Sequence, residues 1–567
     1  MKQTRRLFAF VVAAIMAVTL AVPALATNEP AAGGDTPAAT TTPTGNLTLD
    51  DMISITGLQN GDKVNFYKVL KWEDGWKRAT GFTSLTDDEL AAVVGTATTP
   101  GAISSTIAGK LGDLAESADV KYGELTAANN KVEQATPEAG LYIAIITPGG
   151  TGYTYNPVFV AADYYQGDTN KNTWNVDTEL SYSDEAIAKK SEIDVEKTAK
   201  DATTVDTNDE ETVAVGDEVT FTVKTTIPGF ASNYTNPVFK VTDALSTGLE
   251  LVADSETLVK PTNATGKYTV TETGKTGFTL AFAADYLTTC TTATEVEITY
   301  RAKVTSAAAT NVNQEDNTIT VNYSNSPTDN TGHGVLKDKT NHYTFDINGD
   351  LFGGTNYETT EVVKVGLDAN GNEITKVVTV DSGQKYGALQ GAIFKLYKNE
   401  DCTEEYSNDN FHNPITTDEN GKLKIKGLDA GKYYLKEISA PDGYIKDPNT
   451  HTIEITTVVS EKTVTETIED IEVTYKTDSL DSYKIIIDNV ETASYTITND
   501  AEQDMTAVTA GDTVVGTDAN SGKIKNTQGV ELPSTGGIGT IIFYVVGGAL
   551  VVGAAVTLVV RRRTMAE

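Results

Sequence analysis

The sequence predicts a mainly β chain built of tandem β-sandwich domains. Alternating runs rich in Thr, Val and Tyr, such as residues 219–223, 318–321 and 495–498, are typical of half-buried strands. Long helical patterns are few, and short helices are expected within residues 87–114. A length of 567 residues suggests three or four domains at roughly 150 residues each. The apolar fraction of 39% is sufficient for packed cores.

Composition excludes several classes of function. The chain has 79 acidic and 44 basic side chains and a net charge of −35, which excludes nucleic acid as a main partner. Two cysteines, Cys290 and Cys402, exclude a disulfide scaffold, and the four histidines form no zinc pattern. The runs 346–349 and 368–371 lack full EF-hand spacing and are interpreted as turns. No metal, no cofactor and no enzymatic activity are therefore expected.

The N-terminus has the pattern of a secretory signal peptide over residues 1–26. A basic start precedes an apolar run at 7–22, and a small-x-small cleavage site follows at 24–26. A membrane anchor is the alternative interpretation. Residues 27–44 are rich in Thr, Pro, Ala and Gly and are predicted to be a flexible linker. The mature chain is thus expected outside the cell.

The C-terminus combines a short motif, an apolar segment and a basic tail. Residues 538–560 are uncharged and match the roughly 20 residues that span a bilayer. The basic tail at 561–567 is expected to stay in the cytoplasm. The motif before the segment consists of Leu532, Pro533, Ser534, Thr535 and Gly536. This order resembles the LPxTG sorting signal of Gram-positive surface proteins, the alternative being an ordinary single-pass anchor with a chance motif.

The resemblance implies a covalent transfer reaction. A sortase thiolate would attack the carbonyl of Thr535 and release Gly536 with the hydrophobic tail. The thioester at Thr535 would then pass to an amine of the cell wall or of a lysine in another subunit. Membrane retention by the C-terminal helix would be transient, and the product would be a secreted protein anchored to the cell wall.

Turn signals and changes of composition divide the remaining chain. The predicted order is a first β domain, a linker, a second domain, a connecting loop or inserted hairpin, a third domain and a wall-proximal linker. These segments span residues 45–180, 181–192, 193–329, 330–358, 359–501 and 502–531.

The third domain contains an ordered set of motifs at 391–397, 417–422 and 433–444. This set resembles a Cna-B-type (prealbumin-like) domain. The resemblance implies an isopeptide bond between a lysine in the first strand and an asparagine in the last, catalysed by an acid on a middle strand. The matching residues are Lys364, Asn499 and Glu437.

The second domain resembles the fimbrial isopeptide-forming domain through its segments at 193–197, 215–221, 241–249 and 321–325. The implied nucleophile is Lys197, the proton carrier is Asp243 and the acceptor is Asn325. Asn322 is a rival acceptor. Because Asn322 and Asn325 are an odd number of residues apart, they face opposite sides of a regular strand, and only one of them can face the lysine.

The implied chemistry is physically reasonable. Burial lowers the pKa of a lysine and raises the pKa of a carboxylic acid, so a neutral amine and a protonated acid can coexist. Proximity then favours attack of the amine on the amide carbon, with loss of ammonia. The reaction is a single turnover within the chain. In the first domain, Lys68 and Lys71 are candidates without a convincing acid and acceptor.

Taken together, these features resemble a backbone pilin of Gram-positive bacteria. The resemblance implies head-to-tail polymers in which Thr535 of one subunit joins a lysine of the next. The sequence departs from the family at the expected lysine position, so Lys190 or its neighbour Lys189 is the predicted linking amine, unless both are solvated linker lysines. Implied partners are class C and housekeeping sortases, identical subunits, minor or tip pilins and peptidoglycan. The alternative is a monomeric wall-anchored adhesin for a host protein or glycan.

Overall fold

A computed structural model confirms the mainly β fold. It describes residues 47–50, 52–96, 98–117, 121–135, 137–166, 179–201, 211–234, 236–252, 264, 266–308, 313–327, 329–347, 363–368, 370–372, 377–380, 383–386, 389–418, 423–468, 470–496, 513–515, 523–527, 529 and 538–564. The predicted signal peptide and the motif from Leu532 to Gly536 lie outside the described residues.

The first domain combines two main sheets with two helices. Its elements are β1 (Leu47–Leu49), β2 (Met52–Thr56), β3 (Lys63–Trp72), β4 (Trp76–Arg78), α1 (Asp87–Val94), β5 (Gly95–Thr96), β6 (Thr99–Pro100), α2 (Ser105–Ser117), β7 (Gly123–Thr126), β8 (Lys131–Ala135), β9 (Gly140–Thr147), β10 (Tyr153–Tyr155), β11 (Val158–Ala162), β12 (Tyr164–Gln166), β13 (Glu185–Ile187) and β14 (Lys190–Glu192). Both helices overlap the predicted helical stretch. A capping box starts α1, because the Thr86 side chain accepts from the Glu89 N–H and the Glu89 side chain accepts from the Thr86 N–H.

The predicted linker at 181–192 is corrected by the structure, because it contains two strands of the first domain. Strand β13 pairs in parallel with β2, and β14 pairs antiparallel with β10. Buried Ala186 and Ala188 belong to the core between these sheets. The segment is therefore fixed to the first domain by backbone hydrogen bonds.

The second domain is a sandwich of two sheets. Its elements are β15 (Val195–Asp201), β16 (Glu218–Ile227), β17 (Phe239–Leu245), β18 (Leu249–Leu251), β19 (Tyr268–Glu272), β20 (Gly277–Phe282), α3 (Ala284–Leu287), β21 (Thr294–Val304), β22 (Asn313–Tyr323) and β23 (Gly334–Ile347). One sheet has the order β15-β16-β21-β18, and the other begins β19-β20-β17-β22-β23. The core between them is rich in aromatic side chains, including Phe221, Phe278 and Tyr300.

The third domain contains a seven-stranded sheet and a short parallel pair. Its strands are β24 (Val363–Leu367), β25 (Val377–Val380), β26 (Gly383–Tyr386), β27 (Ile393–Tyr397), β28 (Ile415–Thr416), β29 (Ile425–Leu428), β30 (Gly431–Ser439), β31 (Thr450–Ile468), β32 (Ile471–Ile487), β33 (Val490–Thr496), β34 (Thr513–Val515) and β35 (Lys523–Thr527). The sheet order is β28-β27-β30-β31-β32-β33-β34, and β24 pairs in parallel with β35. Since β34 and β35 lie within 502–531, the predicted wall-proximal linker contributes strands to this domain.

Strand β23 corrects the prediction of a loop or inserted hairpin at 330–358. It pairs with β22 along the second domain, and then Phe345 and Ile347 pair with Leu428 and Ile425 of β29. Tyr343, Phe345 and Ile347 belong to the core of the third domain. The alternation of these apolar residues is the signal for a strand, and the surrounding Gly, Asn and Asp residues concealed it. One strand thus joins the two domains.

The hairpin of β31 and β32 extends well beyond the third domain. Its strands have 19 and 17 residues, longer than the usual 3–10. Its outer half contacts β23, where Asn341 Nδ2 donates to the Asp478 carbonyl at 2.8 Å and the Tyr343 hydroxyl accepts from the Leu480 N–H at 3.1 Å. The hairpin therefore forms another connection between the second and third domains, in addition to the shared strand β23.

Helix α4 (Ile538–Thr564) follows the three domains. Its part Val545–Arg563 is long and apolar enough to cross a membrane, and its last turn contains three arginines. Cys290 and Cys402 are free thiols in different domains.

Candidate functional site

Four side chains from both sheets of the second domain meet in its core. Lys197 on β15 and Tyr300 on β21 come from one sheet, while Asp243 on β17 and Asn317 on β22 come from the other. Period-two alternation directs Asp243 inward, because Val241 and Leu245 on the same face of its strand are also buried. The four polar residues thus occupy core-facing positions within otherwise apolar strands.

The Lys197 amine contacts two other members of this cluster. Its Nζ is 2.7 Å from Asp243 Oδ2, and both side chains are fully buried. It also donates to the Tyr300 hydroxyl, which itself donates to Asp243 Oδ2. Asn317 Nδ2 donates to the same hydroxyl at 3.0 Å. The amine, the acid and the amide therefore surround one tyrosine oxygen.

Burial shifts the protonation of the Lys197 and Asp243 pair. Desolvation lowers the pKa of Lys197, although the attraction of Asp243 opposes the shift. Desolvation likewise raises the pKa of Asp243, against the effect of the nearby lysine. Both shifts favour transfer of a proton from the ammonium to the carboxylate, because two charges in an apolar core lose their hydration. The arrangement can thus present a neutral amine beside a protonated acid.

The structure places Asn317, not the predicted Asn325, at this cluster. Asn317 is fully buried and lies opposite Leu245 in the strand pairing, whereas Asn325 follows the end of β22 and donates its backbone N–H to Asp329 Oδ2 at 3.1 Å. The rival Asn322 is half-buried and its amide points to the Gly332 carbonyl. The structure therefore brings Asn317, and neither Asn325 nor Asn322, to the buried lysine.

A sequence signal for Asn317 existed in the alternation of its own strand. Asn317 is in phase with buried Ile319, Val321 and Tyr323, while Asn322 is out of phase with them. An asparagine in the core-facing phase of a strand needs a polar partner inside the domain. That requirement distinguishes Asn317 from Asn322, whereas Asn325 has the same phase as Asn317 but lies beyond the end of β22.

The third domain has a similar buried pair of an acid and an amide. Glu437 on β30 and Asn526 on β35 are each 1% exposed. Asn526 Nδ2 lies 3.1 and 3.0 Å from the two carboxylate oxygens of Glu437 and 2.8 Å from the Ile445 carbonyl. Asn526 is thus an amide held against the predicted proton carrier.

The predicted lysine of this domain lies on the strand beside Asn526. In the parallel pairing, Lys364 is opposite Ile524 and Gly366 is opposite Asn526. The ring of Tyr444, from the predicted motif at 433–444, lies so close to Gly366 that an added Cβ would come within 2.7 Å of it. The predicted acceptor Asn499 lies outside the described residues. Asn526, which the sequence analysis assigned to a linker, occupies the last strand of the domain.

A chain of hydrogen bonds also supports Glu437 through the segment that follows β30. Glu437 Oε2 accepts from the Asp447 N–H at 2.6 Å. The Asp447 carboxylate lies 3.1 Å from His451 Nε2, and His451 Nδ1 lies 2.7 Å from Asp488 Oδ2. Burial lowers the pKa of His451, but hydrogen bonds to the two aspartates outweigh burial and raise this pKa to about 9. The charged imidazole therefore fixes the segment that bonds to Glu437.

The predicted linking lysines lie at the edge of the first domain. Lys189 is exposed, and Lys190 pairs with Tyr155 while its Nζ lies 3.0 Å from the exposed Glu192. The first-domain candidates Lys68 and Lys71 contact Glu138 and Glu73, whose side chains are 73% and 53% exposed. Within the described part of the chain, neither of these two lysines has the buried environment of Lys197.

The described residues contain no cluster of three or more His, Cys, Asp or Glu side chains that could hold a metal ion. Asp368, one of the two turn candidates, accepts backbone N–H groups from Asn370 and Asn372 within its own loop. This is the pattern of an Asx turn.

Comparison with known proteins identifies two segments of the chain. Residues 372–471 match the family model of the prealbumin-like fold domain, and residues 524–564 match the LPXTG cell wall anchor motif. These matches confirm the two resemblances predicted for the third domain and for the C-terminus. The C-terminal segment is therefore a cell wall anchor and a sortase recognition signal.

The chain is also similar to proteins of Streptococcus pyogenes serotype M6. The trypsin-resistant surface T6 protein is 28% identical over 465 residues, covering 75% of this chain and 79% of that protein. The solved T6 backbone pilin has a modular three-domain structure and is 19% identical, with a TM-score of 0.53, covering 85% of this chain and all of that one. The predicted resemblance to backbone pilins is confirmed, and the structural likeness establishes a shared fold.

Proposed function

We propose that this chain is the backbone subunit of a sortase-assembled covalent pilus on a Gram-positive cell surface. The observation that supports this best is the order of its parts, with a buried Lys–acid–Asn set in the second domain and a buried acid–Asn pair in the third, ahead of a C-terminal cell wall anchor. The relatives named above are surface and pilin proteins. The chain would be a structural protein and a sortase substrate, with no enzymatic turnover of its own.

Intramolecular isopeptide bonds would stabilise the second and third domains. In the second domain, Lys197 would join Asn317 with Asp243 as the proton carrier. In the third, Lys364 would join Asn526 with Glu437 in that role, and Asn499 is the rival acceptor. The contacts of Asp243 and Glu437 support these assignments. Each bond would link the first strand of a domain to a late strand, so that tension along the chain passes through covalent bonds.

Sortases would connect the subunits. A class C sortase would cleave after Thr535 and transfer the acyl group to a lysine amine of the next subunit, and a housekeeping sortase would transfer the last one to peptidoglycan. Lys190 or Lys189 is the candidate amine, because both lie on a segment held rigidly against the first domain. Minor or tip pilins would attach by the same chemistry.

The polymer is tested on cell wall extracts from cells that produce the chain with its sortases. We expect a ladder on a denaturing gel that disappears when Lys189→Ala and Lys190→Ala are combined. Lys131→Ala is the matched control, because Lys131 is also an exposed strand residue of the first domain paired with a glutamate. A single band from the unmutated chain would contradict the covalent polymer and favour a monomeric adhesin. A ladder that persists in the double variant would exclude both lysines.

A further inference from the structure

Tyr300 lies at the centre of the second-domain cluster although a Lys–acid–Asn reaction assigns it no role. Its ring stacks at 5.4 Å on Phe221 and meets Phe278 edge-on at 4.9 Å. Its hydroxyl contacts the nucleophile, the acid and the amide through Lys197, Asp243 and Asn317. The ring is thus held by packing while the hydroxyl touches every reacting side chain.

Among the residues that the structure describes, the Tyr300 hydroxyl alone bonds to both the acid and the amide. Asp243 Oδ2 bonds to Lys197 and Tyr300, and its Oδ1 has no partner among the described residues. In that same set, no hydrogen bond joins Asp243 to Asn317, whose Nδ2 bonds to the Tyr300 hydroxyl. A proton from Asp243 therefore reaches the amide nitrogen most directly through Tyr300.

The third domain shows the alternative construction. There the acid is a glutamate, which is one methylene longer than an aspartate, and both oxygens of Glu437 contact Asn526 Nδ2 directly at 3.1 and 3.0 Å. No intervening hydroxyl is needed in that arrangement. The shorter Asp243 and the interposed Tyr300 thus together make the connection to the amide that one glutamate makes in the other domain.

We propose that Tyr300 is a catalytic residue that relays a proton from Asp243 to the leaving nitrogen of Asn317 during isopeptide formation. This inference rests on the proposed bond between Lys197 and Asn317. A phenol can accept two hydrogen bonds and donate one, and these are the contacts that the Tyr300 hydroxyl makes.

The proposed reaction replaces the amide of Asn317 by an amide to Lys197 and releases ammonia. The neutral Lys197 amine adds its lone pair to Cγ of Asn317, and the carbonyl electrons move to Oδ1. Tyr300 gives its proton to Nδ2 and takes one from protonated Asp243. The Cγ–Nδ2 bond breaks, ammonia leaves with the bonding electrons, and the carbonyl re-forms. Asp243 finally takes a proton from the new Lys197 nitrogen, so the acid is regenerated and one amide replaces another.

The test follows bond formation in newly made full-length chains. Cells producing the chain are pulse-labelled with isotopic amino acids, sampled over time, denatured and digested, and the peptide that links Lys197 to Asn317 is quantified by mass spectrometry. For Tyr300→Phe, which keeps the ring, we expect this peptide to appear about 100-fold more slowly, since general acid–base catalysis contributes at least this factor. The linked peptide of Lys364 in the same molecules should appear at the unmutated rate.

Two controls separate catalysis from folding. Tyr323→Phe removes another buried hydroxyl of the domain, which accepts from the Gly152 N–H at 2.7 Å, and should leave the rate unchanged. Lys197→Ala with and without Tyr300→Phe compares the fold in the absence of the bond, and there the loss of the hydrogen bonds of the hydroxyl should lower the thermal midpoint by less than about 10 °C. Equal rates for Tyr300→Phe and the unmutated chain, or loss of the cooperative folding transition in the double variant, would overturn the relay. Absence of the Lys197–Asn317 peptide from the unmutated chain would instead overturn the bond itself.

Discussion

Replacing Asn317 with alanine should remove the isopeptide bond of the second domain and leave its ion pair in place. Lys197 and Asp243 remain 2.7 Å apart and fully buried, so no uncompensated charge is created. The variant therefore separates the effect of the covalent bond from that of the buried pair. Asn325→Ala is the matched control, because Asn325 lies beyond the end of the same strand.

The size of the effect follows from the length of chain that the bond closes. Lys197 and Asn317 enclose roughly 120 residues, and closing such a loop destabilises the unfolded chain by about 5 kcal/mol in the entropy treatment used for disulfides. The lost hydrogen bond from Asn317 to Tyr300 adds about 1 kcal/mol. At about 4 °C per kcal/mol for a domain of this size, the sum of about 6 kcal/mol should lower the thermal midpoint by about 24 °C.

Calorimetry and mass spectrometry measure this prediction together. The second-domain transition should move to lower temperature in Asn317→Ala, and the intact chain should be heavier than that of the unmutated protein by one retained ammonia, after correction for the substitution. Asn325→Ala should change neither quantity. If Asn317→Ala still loses its ammonia, or if Asn325→Ala retains one, the assignment of the acceptor is refuted.

Two further predictions concern the third domain. Asn526→Ala should retain the ammonia that this domain otherwise loses, whereas Asn499→Ala should not, and peptide mapping that gives the reverse pattern would restore Asn499. The pKa of His451 rises from 6.5 to about 9 on folding. The charged imidazole therefore stabilises the folded domain by an amount on the order of 3 kcal/mol. This stabilisation is fully present below about pH 6.5 and is lost as the pH rises to about 9. The thermal midpoint of the third domain in Asn526→Ala should fall as the pH rises through that window. Adding His451→Gln should remove this pH dependence of the midpoint. A midpoint that does not change with pH while His451 is present would contradict the prediction.

The residues that the sequence identified best are those on strands with clear alternation. Lys197, Asp243 and Glu437 were selected by resemblance, and each lies buried. The sequence does not identify the asparagine that faces each lysine, because several asparagines occur close together and their positions do not show where a strand ends. Asn325 lies just past the end of β22, so the alternation that assigns strand residues to one face or the other does not apply to it.

The missed residues share a physical reason. Asn526 is in phase with buried Ile524, but five residues bounded by polar sequence do not reveal a strand until the partner β24 is known. Tyr300 looks like an ordinary core aromatic, since nothing in a single sequence shows that its hydroxyl faces a lysine from a strand about a hundred residues away. Pairing between distant segments is the information that local patterns lack.

The strand shared by two domains has a consequence for cutting the protein into pieces. A fragment that begins at residue 359, the predicted start of the third domain, would lack Tyr343, Phe345 and Ile347 from its core and would leave the edge of β29 unpaired. Such an edge recruits strands from other molecules, so the fragment should self-associate. A piece that keeps these residues contains the end of β23, whose earlier part pairs with β22 of the second domain. A recombinant piece intended to stay monomeric therefore has to include the second domain as well.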